Sequence, residues 1–284
     1  MVIVGSEDMK NLTGKKYLTA NKTVRIYKVE IPYASVPSHV TNYSNDEFKL
    51  FCTKLLISGC SMKGLLNDYQ RISIRMKFPG TSNTISISIE GSGFVNILAS
   101  EHLASLETSV NILMKKKEAI LTATQGSNNL GQSTSTIPFN ETDPDKIIQH
   151  YFQQSEQIDT ALYTHSFKGY WIGYMVQALP GADVGEVEQI ISNLKFSHSE
   201  GHLQQIEADW LFLTNFFFTT ECYCTKEMYG QLLLSWSHTD LIDSIENKRS
   251  EETVCTSCGK KYHYTPEELS LLLGRGSIAH ERNI

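Results

Sequence analysis

No stretch of this chain is long and uncharged enough to span a bilayer, and the opening Met1-Val-Ile-Val-Gly-Ser-Glu-Asp is apolar for too short a run to be a signal peptide. The expectation is a cytoplasmic protein without a membrane partner. Excess positive charge is also missing. The 25 lysines and arginines face 31 acidic side chains, a net charge of -6 with a pI near 5.9, so the broad basic face of a duplex-binding protein is not expected and nucleic acid is not the default partner. Cysteine is scarce, with six in the chain, and in a reducing compartment four of them in metal spacing read as thiolates on zinc rather than as a disulfide scaffold. A phosphate cradle is lacking too. Glu90-Gly-Ser-Gly93 has no third spaced glycine, and no lysine and hydroxyl directly after it, so it reads as a sharp turn.

What is present suffices for a soluble globular protein. With 284 residues, 40% of them hydrophobic, the chain can build one large domain and a smaller one. Thr23 to Glu30 alternates apolar and polar side chains as a half-buried strand does, and it is expected to open a sheet. From Asp46 to Leu66 the spacing of Phe48, Phe51, Leu55, Leu56, Met62, Leu65 and Leu66 predicts a core helix, with Asn45 and Asp46 able to cap its start. Two alternating runs, Arg71 to Phe78 and Thr84 to Ile89, predict antiparallel strands joined by a turn beginning at Pro79-Gly80. Residues 122 to 136, rich in Ser, Thr, Gly, Gln and Asn, read as polar strand edge and hairpin loop. Asp143-Pro144 predicts a helix start, with Ile147, Ile148, Tyr151 and Phe152 buried. Tyr170 to Leu179 reads as a central strand stopped by Pro180-Gly181, and Val184, Val187, Ile190, Ile191 and Leu194 share one face of an amphipathic helix. The polar residues 198 to 209 then run into Trp210-Leu-Phe-Leu-Thr-Asn-Phe-Phe-Phe218, which is either a strand buried against the large domain or a surface for unfolded clients. His165, His198 and His202 read as surface or linker residues.

Chemistry concentrates near the C-terminus. Cys222-Tyr-Cys224 and Cys255-Thr-Ser-Cys258 are separated by thirty residues, 225 to 254, and each pair presents two sulfurs from one short turn. Two such turns close the tetrahedral four-cysteine shell that zinc prefers. That shell leaves no position for water, which argues for a structural or redox role and against hydrolysis, and no catalytic residue is expected. Three alternatives stay open on the residues alone. One is a static zinc knot stapling a small domain. Another is a zinc ribbon contacting nucleic acid or protein through Lys260, Lys261 and Arg249, a basic face that Glu246, Glu251 and Glu252 oppose. The third, a thiol oxidoreductase using Cys255 and Cys258, lacks the βαβ unit it would need. His263 could stand in as a ligand, although four thiols already fill the shell. Cys52 and Cys60, eight apart in the core helix, read as small buried hydrophobes on different faces.

The order of the pairs, with a helix-like Thr225 to Trp236 between them and Gly259-Lys-Lys-Tyr-His-Tyr264 after the second, resembles the zinc domain of the bacterial redox-regulated holdase chaperones, the thirty-three-kilodalton heat-shock proteins. Thr23-Val-Arg-Ile-Tyr27 resembles that family's first strand and Ile87 to Ala99 its Gly-x-Gly strand pair. Tyr151-Phe-Gln-Gln-Ser-Glu156 resembles a helix end of the family, and Val176-Gln-Ala-Leu-Pro-Gly181 its closing core strand. The resemblance implies an α+β fold: a mixed sheet-and-helix core over 1–197, a short linker over 198–221 and a zinc-binding redox-switch domain over 222–284. It further implies that Cys222, Cys224, Cys255 and Cys258 bind Zn2+. Oxidation would pair Cys255 with Cys258 and Cys222 with Cys224, release the metal and expose apolar surface to unfolding proteins. The protein would be monomeric when reduced and prone to form a homodimer when oxidised.

Overall fold

The computed structural model describes residues 12–79, 83–105, 118–127, 131–196, 200–235 and 238–281, and the chain divides into two compact units, Met1–Glu221 and Cys222–Ile284. In the first unit the organising element is α1 (Asp46–Lys63). Its start is set by Asn45, whose side chain accepts a hydrogen bond from the Phe48 amide at 2.9 Å, with Asp46 and Glu47 in the positively polarised first turn. The helix ends three residues before the expected Leu66. It is buried on nearly every side, because it lies between two sheets rather than on the face of one. Cys52 and Cys60 are accordingly both fully buried, and burial pushes both thiols well above their ordinary range.

One sheet combines β1 (Leu12–Leu18), β2 (Val24–Pro32), β8 (Thr160–Phe167), β9 (Tyr170–Ala178) and β10 (Leu211–Phe218) in the order β10-β1-β2-β9-β8, all neighbours antiparallel. The strand expected to open the sheet is therefore the second in the chain. The inward positions of β1 include Gly14 and Lys16, which hide its alternation. The other sheet joins β3 (Gln70–Lys77), β4 (Thr84–Glu90), β5 (Val95–Ala99), β6 (Ala119–Ser127) and β7 (Gly131–Phe139) in the order β5-β4-β3-β6-β7. The polar stretch read as strand edge and hairpin is thus a pair of nine-residue strands joined through residues 128–130, which lie outside the described residues. Residues 80–82 of the expected turn lie outside them too. The two sheets close on α1 through side chains such as Ile57, Val29 and Met175 on one side and Ile87, Ile89 and Val95 on the other.

Two of the shorter helices of this unit form where the sequence suggests. Asp143 caps α2 (Pro144–Tyr151) by accepting from the Asp145 amide at 3.2 Å, and the chain continues through a π turn at Phe152–Glu156. On the outer face of the first sheet, α3 (Glu186–Lys195) buries Val187, Ile191 and Leu194. Val184 lies before α3 and is fully exposed, so it is not part of the apolar face expected of it. The expected core boundary near Ser197 lies outside the described residues. The segment 198–221, expected as a linker, carries α4 (Glu200–Ala208) and β10, and β10 pairs with β1 along its length around a register shift at Lys16/Tyr17. Phe216 and Phe218 point into the core, while Leu211, Phe212, Leu213 and Phe217 remain exposed. His165, expected at the surface, sits half-buried in β8 with its ring stacked 4.8 Å from that of Tyr163.

The second unit contains α5 (Lys226–Leu233), α6 (His238–Glu246), the hairpin of β11 (Glu251–Val254) with β12 (Lys261–Tyr264), and α7 (Pro266–Glu281). Its buried core is small: Leu233, Leu241, Cys255, Tyr262, Tyr264 and Leu269. Among the described residues no helix of either unit is long and apolar enough to cross a membrane.

Candidate metal centre

The two cysteine pairs are held by different local structures. Cys222 and Cys224 precede α5, whose N-cap Thr225 accepts a hydrogen bond from the Met228 amide at 3.2 Å and so fixes where the helix begins. Cys255 and Cys258 sit in the turn of the β11–β12 hairpin. There the Cys255 amide donates to the Lys260 carbonyl at 2.9 Å and the Gly259 amide to the Cys255 carbonyl at 2.8 Å. Gly259 has φ of +73°, the left-handed conformation that glycine adopts without steric cost, which is why a glycine follows the second pair.

Together the turns bring all four sulfurs within 4.8 Å of one another. Cys222 Sγ lies 3.7 Å from Cys255 Sγ, and Cys224 Sγ lies 3.4 Å from Cys258 Sγ. Zinc–sulfur bonds of about 2.3 Å in a tetrahedron set sulfurs roughly 3.8 Å apart, so this donor set fits that metal in number, chemistry and spacing. The surrounding aromatics hold the sulfurs in place. The Tyr262 hydroxyl donates to the Cys224 carbonyl at 2.7 Å and lies 3.0 Å from Cys224 Sγ, its ring stacks on Tyr229 at 5.5 Å, and the Tyr229 hydroxyl accepts from the Thr256 amide at 3.2 Å. Two residues further along β12, the Tyr264 hydroxyl donates to the Lys226 carbonyl at 2.6 Å.

Four thiols this close cannot ionise independently. Burial would raise the Cys255 thiol, but the Tyr229 hydroxyl and the amides of Cys258 and Ser257 outweigh it and hold that thiol down at about 6. Burial, with its sulfur neighbours, pushes Cys258 up to about 11 and Cys222 still further up. A dication at the centre of the cluster is what would hold all four as thiolates.

His263 does not join this group. The alternation of β12 turns Tyr262 and Tyr264 inward and His263 outward, where its Nδ1 lies 3.3 Å from Glu252. The basic face also fails to assemble: Arg249 pairs with Asp243, Lys261 lies 3.5 Å from Glu252, and Lys260 sits over the Tyr262 ring at 5.2 Å. Sequence reading singled out the Tyr-His-Tyr of β12 but missed Tyr229, whose place in the helix-like segment carries no mark of its contact with Cys255.

The family model described as Hsp33 protein matches residues 15–265. The chain belongs to the Hsp33 family. Among curated relatives of this Hsp33-family chain, the 33 kDa chaperonin of Lacticaseibacillus paracasei is 28% identical over 161 residues, 50% of this chain and 55% of that protein. The chain thus spans about half the length of that relative. The 33 kDa chaperonin of Lactobacillus helveticus is 25% identical over 246 residues, 78% of this chain and 81% of that protein. The crystal structure of the 33 kDa chaperonin (heat shock protein 33 homolog) of Thermotoga maritima shares the fold with a TM-score of 0.72 at 18% identity, covering 94% of this chain and 99% of that one.

Proposed function

We propose that this protein is a redox-switched holdase chaperone: Cys222, Cys224, Cys255 and Cys258 hold zinc in the resting protein, and their oxidation turns it into a binder of unfolding proteins. The observation that carries this reading is the convergence of four sulfurs within 4.8 Å inside a small unit of an Hsp33-family chain. A bound zinc keeps all four cysteines as thiolates and contributes folding free energy to a unit whose own core is meagre.

Thiolates are what oxidants attack. With hypochlorous acid, two thiolates of a pair lose two electrons to the oxidant, one sulfur–sulfur bond forms, and chloride and hydroxide leave. In this reading Cys255 pairs with Cys258 and Cys222 with Cys224, and none of the four sulfurs remains an anionic donor. Among the described residues the second unit then has Leu233, Leu241, Tyr262, Tyr264, Leu269 and their neighbours to hold it, too few for independent stability. Its unfolding, passed to the linker segment 198–221, exposes apolar surface to unfolding clients and to a second oxidised copy in a cytoplasmic setting. Phe216 and Phe218 of β10, buried in the folded protein, are surface of that kind.

One observation favours a second reading, the static zinc knot. Pairing of β10 with β1 makes 211–218 an integral strand of the first unit's sheet rather than a loose tether. Metal analysis tests the site: purified protein should carry one zinc per chain, and Cys222→Ser with Cys255→Ser should abolish it. Unchanged stoichiometry in that variant would remove the ligand assignment.

A further inference from the structure

Tyr262 reaches the sulfur cluster from outside the two cysteine turns. It is the second residue of β12, paired across the hairpin with Thr253, and the alternation of the strand turns its ring inward, where it is 6% exposed. The ring is fixed by Tyr229, stacked on it at 5.5 Å, and by the Lys260 ammonium 5.2 Å from its centre. Its hydroxyl crosses to the turn before α5 and meets two acceptors on one residue, the Cys224 carbonyl at 2.7 Å and Cys224 Sγ at 3.0 Å.

The phenol has one proton for these two acceptors. The nearer carbonyl positions the oxygen, and the sulfur competes for the proton according to its charge. A neutral thiol is a weak acceptor, whereas an anionic thiolate draws a hydrogen bond roughly twice as strong as a neutral one. Once Cys224 is a thiolate, its sulfur therefore takes the larger share. That bond stabilises the lone pair with which Cys224 would attack an electrophile, and the attack has to give it up. Tyr264 offers the comparison. Its hydroxyl, two residues along the same strand, donates to the Lys226 carbonyl at 2.6 Å and has no sulfur partner among the described residues.

We propose that Tyr262 is a brake on the Cys224 sulfur: its hydroxyl hydrogen-bonds the thiolate and slows attack by that sulfur on electrophiles and oxidants, a role that rests on the reading of the four cysteines as zinc thiolates. Groups placed behind metal ligands orient and tune them, and here the tuned quantity is the readiness of one sulfur to surrender its electron pair. The contact with the Cys224 carbonyl holds the brake in position, while Tyr264 clamps the same turn through backbone alone.

Zinc-loaded full-length protein tests this by alkylation with substoichiometric iodoacetamide, in which Cys224 Sγ bonds to carbon and iodide leaves, the label being located by tandem mass spectrometry. Tyr262→Phe should raise the rate at Cys224 about five-fold relative to the other three cysteines, through loss of part of one charge-assisted hydrogen bond. Tyr264→Phe, which removes a backbone clamp, should leave that rate unchanged. In cobalt-loaded protein, Tyr262→Phe should move the sulfur-to-metal charge-transfer band to longer wavelength, because the sulfur lone pair it probes is no longer stabilised; loss of a clamp alone does not do this. If Tyr262→Phe fails to load metal, Tyr262→3-fluorotyrosine, a stronger donor, should slow Cys224 instead. An unchanged Cys224 rate in the loaded variants, an equal acceleration in Tyr264→Phe, or an unmoved band would overturn the brake and leave the zinc reading standing. Wild type that carries no zinc would overturn both.

Discussion

Asp145 shows how much a single side chain can carry unseen. Its carboxylate accepts from the Thr164 amide at 2.8 Å, from the Thr164 hydroxyl at 2.8 Å and from the Ser58 hydroxyl at 3.0 Å, tying α2 to β8 and α1 in a buried knot. Asp145→Ala leaves those donors without an acceptor and should cost about 2–4 kcal/mol in denaturant unfolding; a loss below about 1 kcal/mol would show that water replaces it. Burial raises this carboxyl above its ordinary range although Thr164 and Lys54 pull it down. The folded state therefore holds the proton more tightly than the unfolded one. The stability this group contributes is fully present below the unfolded value of about 3.9 and is lost as pH rises through the folded value. The stability of wild type relative to Asp145→Asn should accordingly be greater near pH 4 than at pH 7, and the opposite trend would mean that the hydrogen bonds outweigh burial. None of this is legible in Asp143-Pro-Asp145, which marks a helix start and nothing more. The convergence of the four cysteines, by contrast, was legible, because paired thiols at short spacing have few other uses.

Legibility of elements follows whether polarity tracks burial. The run from Asp46 and that from Tyr170 betray themselves because apolar side chains fill their inward positions. β8 escaped notice because Thr160 and Thr164 face inward, Thr164 being satisfied by Asp145, and β1 because Gly14 and Lys16 do. Gly14 has a positive reason to be there: a Cβ on it would fall 2.1 Å from the Phe216 ring. Gly173 of β9 sets the distance between the first sheet and α1, since its Cβ would lie 2.6 Å from Ile57 and 2.9 Å from the Ser61 hydroxyl. Gly173→Ala should therefore push the helix outward and cost about 1–3 kcal/mol by overpacking, read as a lowered urea midpoint. An unchanged midpoint would show that the helix yields freely. That α1 is buried on both sides was not readable either, because Ser58, Gly59 and Ser61 interrupt its apolar pattern where the sheets approach most closely.

At the scale of the molecule, the division at Glu221/Cys222 assigns stability to different sources. The first unit has an extended core between two sheets, whereas the second relies on a handful of buried side chains around its sulfurs. A chelator added under reducing conditions, removing roughly 10 kcal/mol or more of metal-binding free energy, should erase amide-exchange protection at Leu233, Tyr262 and Tyr264 and leave β2 and β9 protected. Protection retained in both units would mean that the small unit stands without metal. The most direct test of the switch is light scattering from a thermally aggregating client mixed with the reduced, zinc-loaded protein or with protein treated with hypochlorous acid, released zinc being read by a chromogenic chelator. The account predicts suppression of aggregation only after oxidation, together with zinc release; equal suppression in both states, or zinc release without suppression, would contradict it.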